Sequence, residues 1–222
     1  MFEYHKIEGL FERDDSTKKL IWWKFRIPEI EYLKDNIWEF TEKIDGTNIR
    51  IMWDGHKVTI GGRTDRASIP APLFERLSEL FLGEVNEQIF EQHFGEKEVI
   101  LFGEGYGAKI QGVGGLYRPD NDFILFDVMI CGNYQDRSTV NEVARYFNLD
   151  VVPIVLVGTI QEGIDFVKSK PMSTIGKAPM EGVVGRPCYE MQDRCGKRII
   201  VKIKVSDFCT KNANFIKTTG EE

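Results

Sequence analysis

From residue 37 to residue 44 the chain reads IWEFTEKI, an apolar stretch that predicts a strand with Lys43 at its tip, followed by Asp45-Gly46, where the backbone can turn sharply. Two further strand-like runs, IRIMW and KVTIGG, flank Asp54-Gly55-His56 and predict a hairpin over residues 49–62. Its returning strand ends at Arg63, which the pairing is expected to bring back toward Lys43. Between residues 72 and 94, Leu73, Leu77, Leu80 and Phe81, then Val85, Ile89 and Phe90, recur at helical spacing, with Gly83 as a weak point. That predicts one scaffold helix or two. Val99–Phe102 reads as a buried strand breaking into a glycine-rich loop from Gly103 to Gly115, with Glu104 delivered at the break.

The near-continuous apolar run FILFDVMI from Phe123 to Ile130 predicts a strand buried on both faces, with Phe126 as core. Thr139 with Glu142 predicts a capping box opening a helix to about Phe147, and Thr159 with Glu162 a second one after a strand at residues 151–157. SKPMSTIGKAPM reads as a mobile basic loop leading into EGVVGRP, where Glu181 starts a short strand. RIIVKIKV alternates, so Lys202 and Lys204 share one face and Val201, Ile203 and Val205 the other. Two ammonium groups side by side repel, and a pair facing inward needs an anion between them, for which phosphate is the natural candidate. The aromatics Trp22, Trp23, Phe25, Trp38 and Phe40 read as packing residues. Strands outnumber helices, which predicts an α+β domain with antiparallel β-sheets forming a cleft flanked by helices.

A length of 222 residues suits a single domain over 1–222, and 42% hydrophobic with 29% charged residues is globular. No apolar run approaches the length of a membrane span, and the acidic start MFEYHKIEGLFERDD is unlike a secretory signal. Cys131, Cys188, Cys195 and Cys209 lack metal-ligand spacing and His5, His56 and His93 are scattered, so the cysteines read as reduced, buried structural thiols of a cytoplasmic protein without a zinc site. The net charge of -6 conceals an asymmetry, since the chain from Lys168 onward is basic and the rest acidic. A basic C-terminal portion suits a local anion-binding surface.

A lysine before an Asp-Gly turn is by itself an ordinary surface residue. Placed at a strand tip, partly desolvated and near other cations, the same amine becomes a nucleophile able to attack phosphorus. Five stretches in order decide between these readings: EKIDGTN at 42–48, FGEGYG at 102–107, FILFDV at 123–128, EGVV at 181–184 and VKIK at 201–204. Together they resemble motifs I, III, IIIa, IV and V of the covalent nucleotidyltransferase superfamily of polynucleotide ligases and mRNA-capping enzymes, with its nucleotidyltransferase or ATP-grasp-like ligase core. GTN after K-x-D-G and the block GEGYGAKIQ look like the ATP-dependent RNA ligases that seal nicks in duplex RNA. Asn48 stands where DNA ligases and capping enzymes carry an arginine.

The resemblance implies that Lys43 attacks the α-phosphorus of ATP and holds AMP as a phosphoramidate. It further implies that Glu104 binds the ribose hydroxyls, Phe126 stacks on adenine, Asn48 and Arg63 contact the ribose or the incoming phosphate, and Glu42 helps in the adenine pocket. Lys202 and Lys204 would hold the α-phosphate, and Glu181 a divalent metal, Mg2+ or Mn2+. Cations around a phosphoryl group lower the barrier to its attack, and the same surroundings favour the free amine of Lys43. AMP would then pass to an RNA 5′-phosphate, and a 3′-hydroxyl would displace it. The implied partners are RNA ends, in nicked duplex or single strands. Such ligases usually carry a further OB-fold or helical domain after the last motif, whereas 18 residues follow Lys204 here. The chain is therefore expected to lack a separate C-terminal domain, and an accessory protein could supply the grip on RNA. A DNA ligase, a capping-type guanylyltransferase and a non-catalytic nucleotide or RNA-end sensor are the alternative readings.

Overall fold

The computed structural model describes residues 3–209. In chain order the elements are β1 (Glu8–Gly9), β2 (Phe11–Arg13), β3 (Leu20–Phe25), α1 (Ile30–Leu33), β4 (Trp38–Lys43), β5 (Thr47–Trp53), β6 (Val58–Gly62), α2 (Ala71–Phe81), α3 (Glu84–Phe94), β7 (Val99–Gly107) and α4 (Gly114–Tyr117). There follow β8 (Asn121–Ile130), β9 (Asn133–Tyr134), α5 (Arg137–Tyr146), β10 (Asp150–Val151), β11 (Ile154–Gly158), α6 (Ile160–Lys168), β12 (Gly182–Pro187) and β13 (Val201–Lys204), closed by a 3-10 turn at Val205–Phe208. The architecture is α+β with mainly antiparallel sheets, and only β1–β13 and β8–β10 pair in parallel. Among the described residues no helix is long and apolar enough to cross a membrane.

The chain forms two compact units. The first comprises Ile44–Val152 and Ile175–Ala178, with the residues up to His5. Its sheet runs β10-β8-β7-β5-β6, with β9 beside β8. Ile49, Ile51, Leu101 and Leu125 from that sheet share a core with Leu73, Leu77 and Phe81 of α2 and Val140 and Val143 of α5. The second comprises Lys6–Lys43, Pro153–Thr174 and the described residues 179–209. Its sheet runs β1-β13-β12-β4-β11, its core joins Trp38, Phe40, Val183, Val201 and Ile203 to Ile160, Ile164 and Val167 of α6, and β2–β3 forms a separate ribbon.

The hairpin, the helix break at Gly83 and the alternation of β13 stand where the residue pattern places them. Other elements differ. No loop opens at Gly103, because β7 runs unbroken to Gly107. The glycines there answer close packing: a Cβ on Gly103 would stand 2.2 Å from the Phe123 ring. Glu104 is therefore a mid-strand residue, paired with Asn48 and Ile124. Helix α5 is capped one turn earlier than expected, by Asp136, whose Oδ1 accepts from the Thr139 backbone, whereas the Thr159–Glu162 box caps α6 as read. The strand expected at 151–157 is two, β10 in one sheet and β11 in the other, separated by Val152-Pro153. Cys131, Cys188 and Cys195 are exposed rather than buried. Trp23 is 38% exposed, unlike the buried Phe25, Trp38 and Phe40.

Candidate active site

In the five-stranded sheet, Gly182 lies opposite both Lys43 on β4 and Lys204 on β13, and Val184 lies opposite Lys202. Residues opposed across antiparallel strands point to the same side, so Lys43, Lys202 and Lys204 leave one face while Val183, Val201 and Ile203 enter the core. Glycine at 182 lets these strands close up, since a Cβ there would stand 2.1 Å from the Ile203 carbonyl oxygen. Glu181, just before β12, joins the two outer lysines. Lys43 Nζ donates to its Oε2 and Lys204 Nζ to its Oε1, each at 2.6 Å.

Burial pushes the Glu181 carboxyl up, but the charge of Lys43 and the hydrogen bonds from Lys204 and Lys43 outweigh it and hold the group below the usual carboxylate value. Lys202 has no ion pair among the described residues. Burial, then the charges of Lys204 and Lys43, push its ammonium below the ordinary lysine value. The strand pattern anticipates Lys202 and Lys204 on one face, and the pairing of β4 and β13 with β12 adds Lys43 to it. It does not anticipate that a carboxylate stands between two of them, because Glu181 is far from both in sequence.

Glu42 points the other way from Lys43 and is buried. Its Oε2 accepts from the backbone N and Oγ1 of Thr174, at 2.9 and 2.7 Å, while its Oε1 is buried with no hydrogen-bond partner. The segment read as a mobile basic loop is thus tied to the strand that carries Lys43. A lone Thr174 in a polar stretch gives no sequence signal of this role.

In the six-stranded sheet, Asn48 on β5 opposes Glu104 on β7, which opposes Ile124 on β8. Phe126 is the extra residue of a bulge in β8 and packs with Ile124 in one small cluster. Asn48 Oδ1 is buried with no hydrogen-bond partner. Arg63 is exposed and follows Gly62, the partner of Ile49, so it stands at the same end of the hairpin as Asn48. Phe126 is half-buried rather than core, packed against a small cluster of Ile44, Tyr106, Tyr117, Ile124, Val152 and Ala178. Ile44 follows Lys43 directly, and the next two residues are held in place: Asp45 N donates to Tyr117 Oη at 3.3 Å, and Gly46 O accepts from Gln111 Nε2 at 3.0 Å. A Cβ on Gly46 would meet Gly105 O at 2.3 Å. Tyr4 sets an edge on Phe126, centroids 5.1 Å apart, and its hydroxyl donates to buried Asp127 at 2.7 Å. Tyr4, Gln111 and Tyr117 carry no motif and escape sequence reasoning.

Among the described residues no group of three or more histidine, cysteine, aspartate or glutamate side chains converges on a metal position. Glu181 offers a single carboxylate, which fits a hard cation that takes its remaining ligands from water and substrate phosphate.

A profile of the RNA ligase family matches residues 36–204. Among solved structures, a Naegleria gruberi RNA ligase point mutant with AMP and Mn superposes with a TM-score of 0.60 at 20% identity, over 82% of this chain and 53% of that one. A second point mutant, with ATP and Mn, gives 0.62 at 18% over 95% and 62%, and the enzyme with PPi gives 0.62 at 21% over 93% and 61%. At these identities the likeness is one of fold, and the chain spans less than two thirds of each of those proteins.

Proposed function

The chain belongs to the RNA ligase family, and from that premise we propose that it is an ATP-dependent RNA ligase working through a lysyl-AMP on Lys43. The observation that carries this reading is the Lys43–Glu181–Lys204 bridge with unpaired Lys202 on the same sheet face. A strand tip holding one lysine against a carboxylate, beside two more cations, suits a nucleophile facing an anionic phosphorus.

In the first step the Lys43 Nζ lone pair forms a P–N bond to the α-phosphorus of ATP. The P–O bond to pyrophosphate breaks with its electron pair going to the leaving oxygen, and Nζ releases a proton to water. Lys204 and Lys202 neutralise charge on the non-bridging oxygens as it builds up. In the second step an RNA 5′-phosphate oxygen attacks the same phosphorus, and the P–N electron pair returns to Nζ, which takes up a proton. A 3′-hydroxyl oxygen then attacks the 5′-phosphorus and releases its proton to water, the P–O bond to AMP breaks with its electron pair leaving on AMP, and the phosphodiester is formed.

Glu104 supplies an acceptor for the ribose hydroxyls and Phe126 a face for adenine. The unpartnered oxygen of Asn48 offers a further polar contact to the nucleoside, and Arg63 a cation for ribose or phosphate. Glu181 would hold a Mg2+ or Mn2+ ion, which would supply positive charge for the phosphates.

The test is incubation with α-labelled ATP or GTP and Mg2+. One AMP should attach per chain, and Lys43→Ala should remove all label. Better labelling by GTP would turn the reading to a capping enzyme, and label retained by Lys43→Ala would end it.

A further inference from the structure

Arg50 has no place in the site built above, yet it is fully buried. A guanidinium stays charged, so its burial is costly unless fixed acceptors meet it. Along β5 it alternates with Ile49 and Ile51, which enter the core, and so leaves the sheet on the face that carries Asn48. Opposite it on β6 is Gly61, where a Cβ would stand 3.1 Å from Arg50 Nη2. Glycine there lets the side chain cross the edge strand of the sheet. Its acceptors on the far side are Gly62 O, which takes Nε at 2.7 Å, and Asp65 Oδ1, which takes Nη2 at 2.8 Å. These two residues flank Arg63 in the chain, so one buried fork grips the backbone side and the loop side of it. The loop also folds back on β6: Ala67 N donates to Thr64 O at 3.1 Å, and a Cβ on Gly62 would stand 2.8 Å from Ala67 Cβ.

The same ion pair decides where the loop's charges go. Asp65 stands between Arg63 and Arg66 in sequence, and all three are exposed. Its carboxylate is turned to Arg50, and neither Arg63 nor Arg66 has an ion pair among the described residues. A loop that could close on its own arginines therefore keeps them open to an outside anion.

We propose that Arg50 and Asp65 are positioning residues for Arg63. They hold residues 62–65 so that the Arg63 guanidinium meets ribose or phosphate at the Asn48 end of the hairpin, and they keep the loop's own carboxylate away from it. The role rests on the reading of Arg63 as a substrate contact, whereas the lock itself rests on geometry alone.

Asp65 is the place to break the lock, because its side chain is 47% exposed and its removal leaves no buried cavity. Asp65→Ala removes the acceptor, and Asp65→Asn keeps one without its charge. Both make the loop more positive, so an Asp65 that merely competed with phosphate would give faster reaction in both. Positioning gives the opposite sign: kcat/KM should fall about 10-fold in Asp65→Ala, the scale of one charged hydrogen bond, and less in Asp65→Asn. Adenylation by ATP and AMP transfer from charged protein to a 5′-phosphorylated RNA oligonucleotide are both measured, and the loss should fall on whichever step Arg63→Ala slows. In an Arg63→Ala background Asp65→Ala should bring no further loss, since an effect passed through Arg63 has nowhere left to act. Full additivity there, or wild-type rates in Asp65→Ala, would overturn the proposal. Hydrogen exchange of the nucleotide-free protein tests the lock without the ligase reading. Asp65→Ala should speed exchange several-fold over residues 63–69 and leave α2 and β7 unchanged, and unaltered exchange in the loop would show that no lock exists. If Arg63→Ala slows neither step, Arg63 is no substrate contact and the positioning role falls with it. If ATP labels no form of the protein, the ligase reading falls while exchange still decides whether Arg50 and Asp65 hold the loop.

Discussion

In the five-stranded sheet the side chains singled out are three lysines and the carboxylate that links two of them, whereas in the six-stranded sheet they are Asn48, Glu104 and Phe126, an amide, an acid and an aromatic ring. Both sets leave one face of a sheet whose other face is packed into a core. The first set is suited to phosphate, where charge changes during reaction, and the second to ribose and base, where it does not. Interactions that strengthen only in the transition state act on kcat, while those made equally to the bound nucleotide act on KM. The two sheets should therefore separate in kinetics.

The largest effect falls in the lysine set. Lys204→Ala or Lys202→Ala should slow adenylation at saturating ATP by roughly 30- to 1000-fold, since one contact to the reacting phosphate contributes about 2 to 4 kcal/mol. Phe126→Ala should instead raise KM for ATP by about 5- to 100-fold, the worth of one base–aromatic stack, with a small change in kcat. Single-turnover labelling across an ATP series separates the two constants. An effect of Phe126→Ala confined to kcat would remove the division between the sheets.

Glycine substitutions sharpen the same comparison. Gly182→Ala sets a Cβ 2.1 Å from a backbone carbonyl of the neighbouring strand, which cannot rotate away. Gly105→Ala sets one 2.4 Å from Leu73 Cδ2, the end of a side chain that can change rotamer, although Ile49 Cγ1 at 3.1 Å also crowds it. Gly182→Ala should destabilise by about 2 to 3 kcal/mol and Gly105→Ala by about 1 to 2 kcal/mol. Only Gly182→Ala should also slow adenylation, by moving Lys204 away from Glu181. Chemical denaturation together with labelling measures both; equal loss of labelling in the two variants would show that strand spacing at Gly182 has no special part.

Much of this was legible in the sequence because strands have a period of two. Alternation in VKIK puts Lys202 and Lys204 on one face from the string alone, and Lys43 ends an apolar run that reads as a strand. What escaped depends on register between distant strands or on a third partner. Glu181 reaches Lys43 and Lys204 only once β12 pairs with both β4 and β13. The glycines around Glu104 read as breakers, yet they sit inside a strand because Phe123 and Leu73 fill the space that side chains would need. Asp136 preceded an equally good capping pattern at Thr139 and won because its own oxygen reaches Thr139 N at 2.8 Å.

The smallest effect concerns stability, where the lysine set should show what its chemistry costs the fold. Lys202 has a depressed pKa because its ammonium is half-buried and beside Lys204 and Lys43, which outweigh the opposing charge of Glu8. At neutral pH both folded and unfolded chains carry this proton, and the folded chain holds it less tightly, so the charge opposes folding. As pH rises through the folded value toward the ordinary lysine value, the folded state releases the proton first and the opposition fades. Glu181 has the reverse sign: its depressed carboxyl contributes stability above the ordinary value of 4.5, and that contribution is lost as pH falls through the folded pKa. Lys202→Met keeps the apolar stem and removes the charge. It should raise Tm at pH 7 by about 1 to 2 °C, equivalent to about 0.5 kcal/mol, while adenylation falls as above. The gain should shrink as pH rises toward the ordinary lysine value of 10.5. Glu181→Gln should lower Tm at pH 7 and lose that deficit progressively as pH falls below the ordinary carboxylate value of 4.5. Melting curves of the three proteins across pH read all of this, and a Lys202→Met variant less stable than wild type at pH 7 would mean that its stem and charge are already well accommodated.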